Sequence, residues 1–244
     1  MNYSHSKIKL FENCKLAYKF RYIDFVKVDV PTTIEMFMGN LVHQALAKLY
    51  KDNLNKKELV TYYTATWDKM YTEKIQITKS GFTEKDYKKL GREYLETYFD
   101  EYTPFDEEIL GIETNNFLKL GSNTYSIRID KLFQKGNTYF VCDYKTNSKM
   151  MTDEEAKKDR QLAMYALWVK QQYPEAKDVM LLWNMLKFNK EVSVKKTYDQ
   201  LKLVRRATIG LINEINECRE FPASVSGLCD YCVYKGICPE FSKD

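Results

Sequence analysis

The sequence predicts an α/β fold in which a mixed sheet of about five strands is flanked by helices. Apolar residues recur at helical spacing before residue 105, and apolar and polar residues alternate, as in strands, between residues 107 and 145. After residue 152 the pattern changes from helix to strand and back to helix. This order of elements is typical of a sheet that is covered by helices.

The chain before residue 105 predicts helices. Residues 32 to 52 carry apolar side chains at the i, i+3, i+4 spacing of one helix face. Residues 57 to 78 and 83 to 101 predict two further helices, which are polar on the outside and rich in tyrosine. We interpret residues 53 to 105 as a helical insertion into the domain that carries the sheet.

Three consecutive antiparallel strands are predicted between residues 107 and 145. The segments EEILGIETNNFLKLG, NTYSIRIDKLF and NTYFVCDYKT alternate apolar and polar residues. Turn residues separate them at 121–123 and 135–137, which is typical of hairpins.

The remaining elements follow in the order helix, two strands, helix. A helix is predicted at residues 153–173, because Thr152 and Glu155 form the pattern of a capping box. The segments DVMLLWNML and KEVSVKKT predict two more strands, and residues 198–218 predict the last helix. The mixed sheet is therefore expected within residues 107–196.

Composition and charge limit the class of protein. Hydrophobic residues make up 44% of the chain and charged residues 30%, so we predict one globular domain over residues 1–244. The formal net charge of +4 permits binding to nucleic acid without establishing it. No apolar run approaches the roughly 18 residues of a membrane span, and the N-terminus lacks a secretion signal. We therefore expect a cytoplasmic protein with no membrane partner and with reduced cysteines.

Two aspartates and a lysine fall on neighbouring predicted strands. Asp130 lies in the second strand, and Asp143 and Lys145 lie two residues apart in the third. Because residues i and i+2 of a strand point to the same face, Asp143 and Lys145 are expected side by side. Two carboxylates can bind a divalent cation, and a lysine can orient water or stabilise negative charge, as in metal-assisted hydrolysis of a phosphodiester. The alternative is an ordinary salt bridge on an exposed strand.

Three polar residues on predicted helices add to this set. Gln161 and Tyr165 are four residues apart in the helix after the third strand, so they lie on one helix face. His43 is the polar member of an otherwise apolar helix. Such a histidine either forms hydrogen bonds within a core or serves as a metal ligand.

These motifs resemble, in this order, those of the RecB-like branch of the PD-(D/E)XK nuclease superfamily. The segments are GNLVHQAL, IRIDKLF, DYKT and QLAMY. They match a helix with G-x-x-x-H at Gly39 and His43, a strand aspartate at Asp130, an acid-x-Lys strand and a Q-x-x-x-Y helix. The resemblance spans roughly residues 11 to 241 and implies a restriction-endonuclease-like core.

The resemblance also implies a role for each matched residue. The implied ligands of Mg²⁺ or Mn²⁺ are His43, Asp130, Asp143 and the backbone carbonyl of Tyr144. Lys145 would position or activate the attacking water. Gln161 and Tyr165 would help to hold the DNA backbone or the catalytic lysine, and Glu113 on the first strand is a further acid that could support the ligands.

Three of the six cysteines, Cys229, Cys232 and Cys238, form the pattern C-x₂-C-x₅-C near the C-terminus. The candidates for a fourth ligand are Cys14, Cys142 and Cys218. Four thiolates suit zinc or an iron–sulfur cluster, and the spacing alone does not separate the two.

Iron–sulfur members of the family have one early cysteine and three late ones. The resemblance therefore implies that Cys14 joins the three late cysteines around a [4Fe–4S] cluster, with residues 219–244 packed against Cys14. A structural Zn²⁺ on the same four thiolates is the alternative.

By the same resemblance, the protein is expected to be a metal-dependent DNA nuclease, with an exonuclease acting on single-stranded DNA or DNA ends favoured. It is similar to the CRISPR-adaptation nuclease and to the nuclease domain of the AddB helicase–nuclease subunit. Candidate pathways are therefore recombination, repair and CRISPR adaptation, with a helicase or a recombination or adaptation protein as partner. The alternative is a catalytically silent DNA-binding subunit or scaffold with a structural metal site.

Two basic stretches, residues 7–27 and 187–206, are candidates for contact with the DNA backbone, because neutralisation of phosphates supplies most sequence-independent affinity. The individual residues predicted to bind DNA are Lys19, Arg21, Tyr22 and Tyr165. The tyrosines among them could stack on the bases of a single strand.

Overall fold

The structure, a computed structural model, describes residues 2–241 and has the α/β architecture that the sequence predicts. Within these residues it contains eight α-helices and six β-strands. The helices are α1 (His5–Asn13), α2 (Lys15–Tyr22), α3 (Ile34–Asp52), α4 (Lys56–Met70), α5 (Glu84–Tyr102), α6 (Asp153–Lys158), α7 (Arg160–Gln172) and α8 (Tyr198–Glu217). The strands are β1 (Asn2–Tyr3), β2 (Glu108–Leu120), β3 (Asn123–Lys135), β4 (Thr138–Lys145), β5 (Asp178–Met185) and β6 (Lys190–Lys195).

The described residues form two compact units. The first unit contains the described residues of Met1–Val30, Phe117–Ser126 and Lys202–Asp244. The second unit contains Pro31–Asn116 and Ile127–Leu201. The first unit therefore holds α1, α2, most of α8 and the tip of the β2–β3 hairpin. One domain over residues 1–244 stays a prediction.

The second unit contains a mixed sheet. β3 is antiparallel to β4, β4 is parallel to β5, β5 is antiparallel to β6, and β2 pairs with β3. The parallel pair needs a crossover connection, which α6 and α7 supply. The predicted turns are present at Gly121 and Gly136, whose φ angles of 63° and 57° lie where glycine is least strained.

The helix predicted at residues 57–78 is shorter in the structure and ends at Met70. The chain beyond it bonds to the start of α3, where Ile34 N–H donates to the Gln76 carbonyl at 2.9 Å. Gln76 N–H in turn donates to the Thr32 carbonyl at 2.9 Å. These backbone groups are satisfied outside a helix, so α4 does not continue.

The helix predicted at residues 153–173 is divided into α6 and α7 at Asp159. The predicted capping box at Thr152 and Glu155 is confirmed and starts α6. Asp159 has extended backbone angles, φ −61° and ψ 122°, and its carboxylate accepts a hydrogen bond from Leu162 N–H at 2.8 Å. An aspartate in this position starts a new helix.

Helices α3, α4 and α5 share one apolar core with the sheet. Trp67 of α4 and Leu95 of α5 are fully buried, in the same cluster as Leu41 of α3 and Leu182 of β5. The 3.6-residue spacing of apolar side chains on α3 places them on the face that meets this core. The core therefore fixes α3, and with it His43, against the strands of the second unit.

The first unit is packed largely through aromatic rings. The ring of Phe11 in α1 meets the ring of Tyr18 in α2 edge-on, with centroids 5.2 Å apart. Tyr18 also stacks on Phe221, which follows α8. Leu16 N–H donates to the Pro222 carbonyl at 3.2 Å. These contacts hold the segment after α8 beside α2.

A buried ion pair lies in the second unit. The ammonium of Lys131 in β3 contacts the carboxylate of Glu107, and the two side chains are only 3% and 4% exposed. The Lys131 ammonium also donates to the Tyr50 hydroxyl at 2.6 Å. Burial lowers the pKa of Lys131, which shows how strongly this position disfavours a charge. Each charge therefore depends on the other.

We predict that Lys131→Met lowers the free energy of unfolding by about 3–5 kcal/mol, because Glu107 would remain buried without its cation. The double variant Lys131→Met/Glu107→Leu should recover much of this loss, since it buries no charge. Urea unfolding followed by circular dichroism measures both values. A double variant that is no more stable than Lys131→Met would contradict the prediction.

Candidate functional site

Three potential metal ligands converge in the second unit, from α3, β2 and β3. One ligand atom from each of His43, Glu113 and Asp130 lies within 4.8 Å of the other two. His43 Nδ1 is 3.4 Å from Asp130 Oδ2 and 3.8 Å from Glu113 Oε1. Burial lowers the pKa of His43, but the two carboxylates outweigh it and raise that pKa to about 10. The two carboxylates therefore favour a proton on the imidazole, which the ring would have to lose in order to bind a metal ion.

The backbone of Tyr144 connects the group of His43, Glu113 and Asp130 to β4. Tyr144 N–H donates to Asp130 Oδ2 at 2.9 Å. The Tyr144 carbonyl accepts from His43 Nε2 at 3.0 Å. The carbonyl that the sequence predicts as a metal ligand therefore lies beside the imidazole and the Asp130 carboxylate.

Asp143 and Lys145 lie on either side of Tyr144 in the chain, and both side chains are on the same face of β4. Asp143 is only 7% exposed, and its Oδ2 lies 2.5 Å from Lys145 Nζ. Burial raises the pKa of Asp143 to about 6, although the Lys145 ammonium acts to lower it. Burial also acts to lower the pKa of Lys145, but the Asp143 carboxylate outweighs it, so that pKa is raised. The two side chains thus form an ion pair beside the group of His43, Glu113 and Asp130.

Glu113, rather than Asp143, completes the group of three ligand atoms within 4.8 Å. The residue has a φ of +51°, in the left-handed region that non-glycine residues rarely adopt. Such backbone strain costs about 1–3 kcal/mol and is concentrated at functional sites. The resemblance alone predicted only that Glu113 could support the ligands, because the alternation of side chains along a strand does not reveal a local change of φ.

Gln161 and Tyr165 lie together on α7, as their spacing predicts. Gln161 Nε2 donates to the Tyr165 hydroxyl at 3.1 Å, and the backbone of Arg128 in β3 also bonds to that hydroxyl. Tyr165 is 5% exposed, and burial raises its pKa. The pair therefore attaches α7 to the strand that carries Asp130, two residues from it. A role of either side chain in holding DNA or Lys145 stays a prediction.

The four cysteines predicted to bind a cluster line one cavity of the first unit, with a volume of about 320 Å³. They are Cys14, Cys229, Cys232 and Cys238. Cys14 Sγ accepts from Ala17 N–H at 3.5 Å, and Cys229 Sγ accepts from Ser226 N–H at 3.4 Å. Cys142, another candidate for the fourth ligand, is buried in the core of the second unit, and Cys218 is half-buried.

The sulfur atoms of these cysteines are not gathered as around one small ion. Among residues 2–241, three potential ligand atoms lie within 4.8 Å of one another only in the group of His43, Glu113 and Asp130. No three of the cysteine sulfurs are therefore that close together. A tetrahedral zinc with Zn–S bonds of about 2.3 Å needs its four sulfurs roughly 3.8 Å apart.

The residues predicted to bind DNA are divided between the units. Lys19, Arg21 and Tyr22 lie on α2 in the first unit, and Tyr165 lies in the second. Arg21 is exposed and its guanidinium carbon lies 5.6 Å from the centroid of the Tyr22 ring, while Lys19 pairs with Asp24 at 2.6 Å. None of the described helices has the length and apolar character that crossing a membrane requires.

Comparison with protein families gives one match that covers almost the whole chain. The sequence profile described as PD-(D/E)XK nuclease superfamily matches residues 2–239.

The chain belongs to the PD-(D/E)XK nuclease superfamily.

Solved structures similar to this nuclease superfamily member include that of "Putative exonuclease" from Eubacterium rectale, with a TM-score of 0.56 and 13% sequence identity. That match covers 93% of this chain and 86% of the other. The structure of SSO0001 matches with a TM-score of 0.36 and 18% identity, over 93% of this chain and 95% of the other. A search of curated proteins finds no match. The similarity to the first of these structures supports the fold alone.

Gly39, the first residue of the G-x-x-x-H motif, allows this nuclease superfamily member to bring α3 close to β4. A Cβ atom at Gly39 would stand 2.9 Å from Thr146 Oγ1, closer than van der Waals contact permits. Thr146 directly follows Lys145, and His43 lies one turn after Gly39. A side chain at this position would therefore require Thr146 to shift.

We predict that Gly39→Ala weakens Mn²⁺ binding about tenfold, because the new methyl group pushes Thr146 away and moves the neighbouring ligands. Isothermal titration with Mn²⁺ measures the affinity, and circular dichroism checks the fold. The double variant Gly39→Ala/Thr146→Ser keeps the clash and should stay weak, whereas Gly39→Ala/Thr146→Ala should recover affinity. Equal affinities of all three variants and the parent would contradict this explanation.

Proposed function

We propose that this protein is a DNA nuclease that depends on Mg²⁺ or Mn²⁺. The observation that carries the proposal is the convergence of His43, Glu113 and Asp130 beside the Asp143–Lys145 ion pair. An imidazole, carboxylates and a backbone carbonyl are donors that suit these two cations, whereas no thiol belongs to the group. The donor set therefore fits the metal that the superfamily implies.

His43, Asp130, Asp143 and the Tyr144 carbonyl would hold the metal, with Glu113 as a further carboxylate ligand. The bound ion would supply Lewis-acid stabilisation of charge on the phosphate. The Lys145 ammonium, held beside Asp143, orients the attacking water and stabilises negative charge on the phosphate oxygens. Gln161 and Tyr165 fix the position of β3 and so support the carboxylate of Asp130.

We propose that the enzyme works as an exonuclease on DNA ends, with single-stranded DNA preferred, in recombination, repair or CRISPR adaptation in the cytoplasm. The exposed Arg21 and the neighbouring Tyr22 and Lys19 support contact with a single strand, since basic and aromatic side chains bind its phosphates and bases. A helicase or an adaptation protein would present the end. The name of the structural neighbour from Eubacterium rectale also motivates the exonuclease mode.

We further propose that Cys14, Cys229, Cys232 and Cys238 bind a [4Fe–4S] cluster in the first unit. In such a cluster each thiolate binds a different iron atom, so the sulfurs stand farther apart than around one zinc. The cavity of about 320 Å³ that all four cysteines line supports a shared metal site. The N–H groups of Ala17 and Ser226 would bond to ligand sulfurs and tune the cluster.

We predict that Lys145→Ala lowers the rate of DNA cleavage about 10²-fold or more, because a cation aimed at the developing charge is removed. End-labelled single strands, linear duplexes and closed circular single strands, each with Mn²⁺, Mg²⁺ or EDTA, measure the rate and the mode. Lys149→Ala is the matched control, since Lys149 also lies 2.5 Å from a carboxylate, that of Glu155.

Metal-dependent loss of linear DNA with circles spared would establish the exonuclease, and cleavage of circles would establish an endonuclease instead. No cleavage by folded, metal-loaded protein would overturn the nuclease proposal and favour a catalytically silent DNA-binding subunit.

We predict that anaerobically purified protein contains about four iron atoms per chain and absorbs visible light. Cys14→Ser should lose iron, whereas Cys218→Ser, a change of a half-buried thiol in the same unit that does not line the cavity, should keep it. Elemental analysis measures the content. One zinc atom per chain, lost in the same variant, would replace the cluster by the structural zinc alternative.

A further inference from the structure

Arg128 is a cation beside the candidate metal group that no motif assigns. It lies on β3 two residues before Asp130, so both side chains lie on the same face of the strand. The intervening Ile129 and the preceding Ile127 are buried in the core. The side chain of Arg128 is 69% exposed, so its guanidinium lies at the open side of the site.

The guanidinium is held by one oxygen of Glu113. Arg128 Nε and Nη2 donate to Glu113 Oε2 at 3.0 Å and 2.8 Å. The other oxygen of Glu113 faces His43 Nδ1 at 3.8 Å. One carboxylate therefore connects an exposed arginine to the convergent ligands, and the Arg128 backbone is fixed by its bond to Tyr165.

The Arg128 end of this ion pair is exposed, whereas the Glu113 side chain is only 16% exposed. Water and salt screen the exposed guanidinium, which limits the net stability that the pair contributes. A guanidinium is a planar donor that matches the oxygens of a phosphate as well as those of a carboxylate. A phosphate could therefore compete with Glu113 for the Arg128 guanidinium.

A phosphate that enters this site meets an unfavourable field unless a cation accompanies it. Glu113, Asp130 and Asp143 place three carboxylates within or beside the ligand group. The Lys145 ammonium is already paired with Asp143. A guanidinium at the open side offsets this repulsion where a DNA strand would approach.

We propose that Arg128 binds a phosphate of the DNA backbone next to the metal site, and that it exchanges Glu113 for that phosphate. The exchange leaves Glu113 Oε2 available to a metal ion, so arrival of the substrate and completion of the ligand set are coupled. This inference rests on the proposed nuclease function and adds the residue that positions its substrate.

The test compares DNA affinities in a Lys145→Ala background, in which degradation of the strand should be slowed about 10²-fold or more. Fluorescence anisotropy with a labelled single strand and Mn²⁺ gives the dissociation constant at several salt concentrations. Arg128→Ala is expected to bind about tenfold to hundredfold more weakly, the range for loss of hydrogen bonds to a charged group. The slope of log K against log salt should fall in magnitude by about 0.7, as for one phosphate contact on a single strand.

Arg92→Ala is the matched control. Arg92 on α5 donates through the same two nitrogens to one oxygen of Glu96, at 3.0 Å and 2.9 Å, and its side chain is 52% exposed. This variant loses the same charge and the same kind of ion pair, so its affinity and salt slope should stay at the parent values. Arg128→Lys should keep the slope and recover part of the affinity, since it keeps the charge but not the planar donor.

Equal affinities and equal slopes for Arg128→Ala and Arg92→Ala, with urea midpoints unchanged, would overturn the proposal while the nuclease function stands. Wild-type protein that binds DNA but does not cleave it would overturn the nuclease function, and the Arg128 comparison would still decide the phosphate contact. Parent protein that binds no DNA would overturn both.

Discussion

The backbone N–H and carbonyl of Tyr144 form the two hydrogen bonds on which the rest of the site depends. Its N–H fixes the carboxylate of Asp130, and its carbonyl accepts from the imidazole of His43. Because residues on either side of a strand residue share the opposite face, fixing this backbone also aims Asp143 and Lys145 together. Three elements, α3, β3 and β4, are thus joined through the backbone of one residue. A shift of β4 would disturb every one of these groups at once.

The side chain of Tyr144 shows how this backbone is kept in place. Its hydroxyl is 3.0 Å from that of Tyr98, which in turn is 2.7 Å from that of Tyr50. Tyr50 accepts from Lys131, whose other partner is Glu107. A buried polar network contributes less to stability than to a unique arrangement, since each member is costly when unpaired. This buried polar network therefore lies where the candidate metal ligands need a backbone in a fixed position.

Much of this site could be predicted from sequence, because strand and helix periods are local. The two-residue period placed Asp143 beside Lys145, and the four-residue period placed Gln161 beside Tyr165. The membership of Glu113 could not be predicted, since it depends on a φ of +51° at one residue in β2. The break of the helix at Asp159 was also missed, because aspartate both caps helices and occurs inside them. Cys14 was chosen by resemblance, as its distance along the chain gives no local signal.

The two candidate metal sites differ in the softness of their donors, and this difference separates their metals. Oxygen donors and one imidazole in the second unit suit Mg²⁺ or Mn²⁺, while thiolates in the first unit suit iron–sulfur clusters or zinc. A thiolate site offers magnesium no useful affinity, and carboxylates do not assemble a cluster. The two donor sets therefore favour different metals. The four cysteines line a cavity of the first unit, and the convergent carboxylates belong to the second.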